Sequence, residues 1–153
     1  MSRNKEGYAD PTAAMAMGNA MKEYKKQQKE KWKQEYEKRN RSKVYVISKY
    51  AGNTKKNTKA AIEHCRYVIS QGKMPIASHL LYPQILDDSN PEERALGMSF
   101  GLSLLADCEE AWCFGTEVSA GMAAELKECE RLKIPVRYLK EEQYANNSAR
   151  RYK

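Results

Sequence analysis

Apolar residues follow two different rhythms along this chain. Across the first forty or so positions they are sparse, and Met17, Met21, Tyr24, Trp32 and Tyr36 form only a thin, interrupted stripe among Lys, Glu and Gln. That pattern predicts one long solvated helix from Met17 to Arg41. Asp10-Pro11 supplies a start for it, a capping residue followed by proline at the first helical position. Glu35 with Arg39 and Glu37 with Arg41 stand four apart in the favourable order, each pair worth a few tenths of a kcal/mol. Such a helix buries little by itself.

From Lys43 the rhythm tightens. KVYVIS (43–48) is a short β-branched run and reads as a buried strand. Asn57 to Gln71 carries Ala61, Ile62, Cys65, Val68 and Ile69 at helical spacing and ends at Gly72. MPIAS (74–78) reads as a second strand and residues 79–90 as a loop. Ser89-Asn90-Pro91-Glu92-Glu93 opens a helix that runs to about Asp107 and is apolar nearly all round, which predicts burial on two sides. AWCFG (111–115) is a third strand, Ser119 to Lys133 a further helix, and IPVRYL (134–139) a fourth strand. The tail from Glu141 is polar and is expected to be mobile.

Strands alternating with helices over short connections predict an α/β fold. The expectation is a Rossmann-like parallel sheet of four to five strands flanked by helices, with an N-terminal helical arm. Residues 1–42 form the arm, 43–140 the α/β domain and 141–153 the polar tail. In such sheets ligands bind beyond the C-terminal ends of the strands, where connections diverge. That rule places Ser48–Gly52, Ser78–His79 and Gly115–Ser119 along one rim.

Charge sharpens this division. The chain has 27 Lys and Arg against 20 Asp and Glu, and nearly all of the excess falls in the arm. A basic arm with interleaved aromatics admits a nucleic-acid partner, but its interspersed glutamates argue against one. A solvated arm docking on the domain or on a neighbouring subunit is the reading preferred here. No apolar run approaches membrane-spanning length, so no membrane partner is expected. Cys65, Cys108, Cys113 and Cys129 form no CxxC pair, and neither His64 nor His79 has ligand spacing with them. A reducing, cytoplasmic setting with free thiols and no metal site is expected. His64 reads as an ordinary helix residue.

One residue sits awkwardly in this pattern. At about 100° per residue, Met122, Leu126, Cys129 and Leu132 share a stripe, and Glu125 falls inside it. A carboxylate there needs a partner or a purpose, because desolvating its charge is costly. It either pairs with a Lys or Arg from a neighbouring element or serves chemistry, as carboxylates do in glycosyl transfer. Ser119 is a good N-cap for the same helix, and Gly121 keeps its first turn open to close approach. A helix start with free N–H groups favours an anion such as a phosphate.

Residues 43–139 resemble the nucleoside 2-deoxyribosyltransferase superfamily. Within it they are similar to the deoxynucleoside 5′-monophosphate N-glycosidases, and closer to uncharacterised phage- and plasmid-borne members. The motifs that carry the resemblance are VYVIS-x3-G, SH in the second-strand loop and S-x-G-x3-E, as they stand at 44–52, 78–79 and 119–125. The resemblance implies that Glu125 is the nucleophile on the anomeric carbon and that Tyr45 lies beside it and orients it. It implies a cradle from Ser119 and Gly121, close approach of ligand at Gly52, and a pocket-facing His79. Unaided, His79 reads as a loop histidine hydrogen-bonded to backbone, and Tyr45 as a strand residue filling the core. Ser48 and Lys49 stand where the glycosidases have glycine and serine; Lys49 either pairs a phosphate or is a solvated loop charge.

A second departure concerns an aspartate that the competent enzymes carry eighteen residues before the serine. Here that position is Gly101, which with Gly97 makes a small-residue ridge; Asp87, Asp88 and Glu117 are the nearby substitutes. Two functions follow from the resemblance. One is cleavage or transfer of the N-glycosidic bond of a (deoxy)nucleoside or its monophosphate; the other is a nucleotide-binding module without catalysis, a sensor or sequestering protein of mobile elements. Neither implies a cofactor. The resembled enzymes are dimers or larger, so a homo-oligomer is expected.

Overall fold

The computed structural model describes residues 5–7 and 10–145, and the fold is α/β with a four-stranded parallel sheet flanked by helices. Its residues divide into two compact units, Met1–Asn40 and Arg41–Lys153. The first unit is a single helix, α1 (Pro11–Arg39), and it buries no residue. Asp10 caps it by accepting from the N–H of Thr12 at 2.9 Å and of Ala13 at 3.4 Å, with Pro11 at the first position. Trp32 and Tyr36, one turn apart, stack at 5.3 Å between ring centres.

The second unit runs β1 (Lys43–Ile47), α2 (Thr54–Ser70), β2 (Met74–Ile76), α3 (Pro91–Ala106), β3 (Glu110–Phe114), α4 (Ala120–Leu132), β4 (Val136–Leu139) and a single turn α5 (Glu141–Tyr144). The strand order is β2-β1-β3-β4. Connections diverge between β1 and β3, because the chain leaves β1 toward one edge and returns past it to β3. That places a crevice at their C-terminal ends.

Alternation along the strands divides the core in two, as a pleated sheet covered on both faces requires. Val44, Val46, Trp112, Phe114 and Leu139 pack with Tyr67 and Val68 of α2. Tyr45, Ile47, Ala111 and Cys113 point the other way, to Leu105 of α3 and to Met122 and Cys129 of α4. Tyr45 is therefore core and site at once.

Several features depart from expectation. Helix α2 begins at Thr54, three residues early, because Asn53 accepts from the N–H of Lys56 at 3.1 Å and caps a polar first turn that carries no periodic signal. The second strand ends at Ile76, and Ser78–Leu80 and Tyr82–Gln84 form two 3-10 turns within the segment read as loop. Burial of α3 on two sides fails: Gly101 and Leu105 are its buried residues, while Leu96, Met98 and Phe100 are 46%, 46% and 37% exposed. One stripe of a helix meets the sheet, and a single chain offers no layer beyond the opposite stripe. Finally, the tail begins with α5, whose Tyr144 packs edge-on against Phe114 at 5.2 Å and His64 at 4.9 Å. Residues 146–153 of the expected mobile tail lie outside the described residues.

Candidate functional site

The crevice opens into a cavity of about 200 Å³ at the C-terminal ends of β1, β2 and β3. The loop after β1 contributes Ser48, Tyr50 and Ala51, and the segment after β2 contributes Ser78, His79, Tyr82 and Leu86. The stretch leading into α3 and that helix add Asp88, Arg94, Gly97 and Gly101, and the start of α4 adds Ser119, Gly121 and Glu125.

Ser119 has the extended backbone of an N-cap, and its hydroxyl accepts from the N–H of Met122 at 3.3 Å. The first turn of α4 thus faces the cavity with its remaining N–H groups unclaimed by a cap, the arrangement that attracts anions. No atom outside the helix lies within 4 Å of where a Cβ on Gly121 would stand, so a ligand has room there.

Glu125 lies a turn and a half deeper. The phenol of Tyr45 donates to its Oε1 at 2.8 Å, and Tyr45 Oη is 2.7 Å from Ser78 Oγ. Among the described residues no Lys or Arg forms an ion pair with Glu125. Burial therefore dominates, and it pushes the carboxyl up to about 7, against the downward pull of the Tyr45 hydrogen bond. Burial, with the Glu125 charge second, raises the Tyr45 phenol far above its ordinary range, so it stays protonated and able to donate. Of the two purposes open to this carboxylate in the sequence, the ion pair is absent from the site.

The remaining candidates separate. Ser48 lines the cavity, but its hydroxyl is held from behind by His64 Nδ1 at 2.9 Å. His64 is no ordinary helix residue: it is buried, stacks on Phe114 at 4.3 Å, and is pushed down to about 4 by burial and then by His79. Its place was legible, since Ala61, His64 and Val68 share a helical stripe; its partner Ser48, sixteen residues away, was not. His79 lines the cavity, and burial pushes it down to about 4. Its Nε2 is buried and has no hydrogen-bond partner among the described residues.

Lys49 and Gly52 stand apart from the cavity lining. Lys49 Nζ binds Glu117 Oε2 at 2.8 Å, tying the loop after β1 to the loop after β3 in solvent. Gly52 adopts φ 97°, a conformation that suits glycine, and supports the turn into α2. Of the three substitutes for the aspartate, Asp87 accepts from the N–H and hydroxyl of Ser89 at 2.9 and 2.6 Å, Glu117 is paired with Lys49, and only Asp88 lines the cavity. Arg94 and Tyr50 also line it without having been marked by any sequence pattern.

Residues 42–139 match the family described as Domain of unknown function (DUF7768), and the chain belongs to that family. No curated protein matches the sequence. Among solved structures, the chain is similar to the 2-deoxyribosyltransferase of the psychrotolerant bacterium Bacillus psychrosaccharolyticus. The two share 16% identity with a TM-score of 0.55, over 65% of this chain and 73% of that one. That likeness is one of fold. No helix of the described residues is long and apolar enough to cross a membrane.

Proposed function

We propose that this chain breaks or exchanges the N-glycosidic bond of a (deoxy)nucleoside or nucleoside monophosphate, with Glu125 as nucleophile. One observation carries the reading. A carboxylate without a counter-cation is held by Tyr45 inside a cavity, below a helix start suited to an anion. The fold shared with a 2-deoxyribosyltransferase supports it.

In this reading a phosphate or sugar hydroxyl sits at Ser119 and Gly121, which brings the anomeric carbon over Glu125. The carboxylate forms a bond to that carbon as the C–N bond breaks, and the base leaves with the electron pair and takes a proton. Water, or a second base, then releases the sugar and restores the carboxylate. His79, neutral and with a free Nε2, faces the same space and can take a hydrogen bond with the leaving base. Asp88 and Glu93 are the other carboxyls lining the cavity; Glu93 accepts from the N–H of Asp87, which leaves Asp88 for proton handling. The partly exposed face of α3 that carries Leu96 and Phe100 is proposed as the surface that joins copies into an oligomer.

Overnight incubation with a mixture of nucleosides and their monophosphates, followed by chromatography for free base, tests the proposal. The wild type is expected to release base and Glu125→Ala to release none. Base from neither protein overturns the reading. A second function, nucleotide binding without turnover, is favoured by Gly101 in the place of the aspartate. Ligand retained on a catalytically silent protein is the outcome that would establish it.

A further inference from the structure

Gly101 looks like a loss, but the space beside it is filled. A Cβ at this position would stand 3.0 Å from Ser78 Oγ and 3.2 Å from Tyr45 Oη, so that these oxygens would have to give by a few tenths of an ångström. Those two oxygens are bonded to each other at 2.7 Å, and Tyr45 is fully buried with Ser78 close to it in burial. A phenol has one proton, and Tyr45 gives it to Glu125. The proton in the Ser78–Tyr45 bond therefore comes from Ser78.

We propose that Ser78 is a positioning residue whose hydroxyl donates to Tyr45 and, through it, holds the Glu125 carboxylate, and that Gly101 is the residue that makes room for this chain. The catalytic meaning of the inference rests on the nucleophile reading; the hydrogen-bond chain itself does not. A donor to the phenolic oxygen polarises the phenol and strengthens its own donation onward, an effect that low surrounding polarity enhances. Tyr45 from β1, Cys113 from β3 and Cys129 from α4 pack around Glu125; His79, Asp88, Glu93 and Arg94 line the same cavity, and among the described residues no cation pairs with the carboxylate. The chain from Ser78 is thus what opposes the burial of the carboxylate. An acidic side chain at position 101 would collide with that chain.

The test is titration of the Glu125 carboxyl by carbon-13 NMR on the full chain, with Glu125→Gln to assign its signal. Ser78→Ala is expected to move the midpoint upward, by up to about one pH unit, because a hydrogen bond of ordinary strength corresponds to about that shift. Tyr45→Phe is expected to move it at least as far. The double variant should match Tyr45→Phe alone, since both remove links of one chain. Gly101→Ala is expected to shift the midpoint in the same direction, and it decides the matter if Ser78→Ala does not fold. A folded Ser78→Ala or Gly101→Ala protein with the wild-type midpoint overturns the inference, as does a double variant whose shift is the sum of the two. No substrate enters this measurement. A protein that shows the shifts but releases no base sinks the transferase reading alone, and base release with unmoved titrations sinks the chain alone.

Discussion

At the scale of single residues, Glu125 sets stability and activity against each other. Burial pushes its folded carboxyl up to about 7, against an ordinary value of 4.5. Between those values the folded state binds more protons than the unfolded chain, so stability falls as pH rises through this window. Above pH 7 the full cost is present, on the order of 3 kcal/mol at 1.36 kcal/mol per pH unit. Glu125→Gln keeps an acceptor for Tyr45 without the charge. It is expected to melt several degrees higher than the wild type at pH 8 and at nearly the same temperature at pH 5. Thermal melts of both proteins at the two pH values check this, and an equal difference at both would contradict the desolvated carboxylate. A site that lowers stability at working pH is what a group kept for function looks like. His64 works in the opposite direction. Burial pushes it down to about 4, so it is neutral in the fold and removes stability as pH falls below 6.5.

At the scale of elements, α4 begins at the cavity and ends in strain. Ser119 both caps the helix and lines the cavity, and two substitutions separate these roles. Ser119→Ala is expected to cost about 1 kcal/mol of stability and Ser119→Gly only a few tenths, because glycine at an N-cap leaves the helix end solvated. If the hydroxyl also holds ligand, both variants lose nucleotide affinity to a similar degree, as calorimetry would show. Affinity that tracks the melting temperature instead would reduce Ser119 to a cap. The far end of α4 closes on Lys133 at φ 57°, where Ile134 N donates to Cys129 O at 2.9 Å. Helix α2 closes with the same bond pattern on Gly72 at φ 77°. The sequence placed both ends, but only the glycine announced the left-handed conformation, since lysine in that conformation follows from the turn into β4 and not from its own preference.

At the scale of the whole molecule, α3 leaves apolar surface exposed within the α/β unit. Leu96 and Phe100, one turn apart on one stripe, remain partly open to solvent although the helix is apolar nearly all round. If copies of the chain associate through this stripe, Phe100→Glu places a charge within it and is expected to convert an oligomer into monomers in sedimentation experiments. A wild-type protein that sediments as a monomer at high concentration would remove the proposal. The helix α1 contributes nothing buried, so the core that forms the cavity belongs entirely to residues 41–145.

The sequence by itself determined the order of strands and helices from Lys43 onward, because each element repeats its apolar positions at its own period. It also determined the anomaly of Glu125, since helical spacing alone puts that carboxylate among Met122, Leu126 and Cys129. Caps at Asp10, Asn90 and Ser119 were legible for the same reason: they act within three residues of themselves. What Glu125 meets was not legible in the residue pattern: Tyr45 came only from the family resemblance, and Ser78 behind it only from the tertiary structure. Tyr45 lies eighty residues from it and Ser78 thirty-three from Tyr45, and no local pattern encodes contacts that parallel strands make at that separation. The same holds for His64 behind Ser48, for Lys49 turned to Glu117, and for the oxygens that occupy the space beside Gly101. Periodicity fixes which way a side chain faces on its own element; which groups face it across the core depends on how the sheet is ordered.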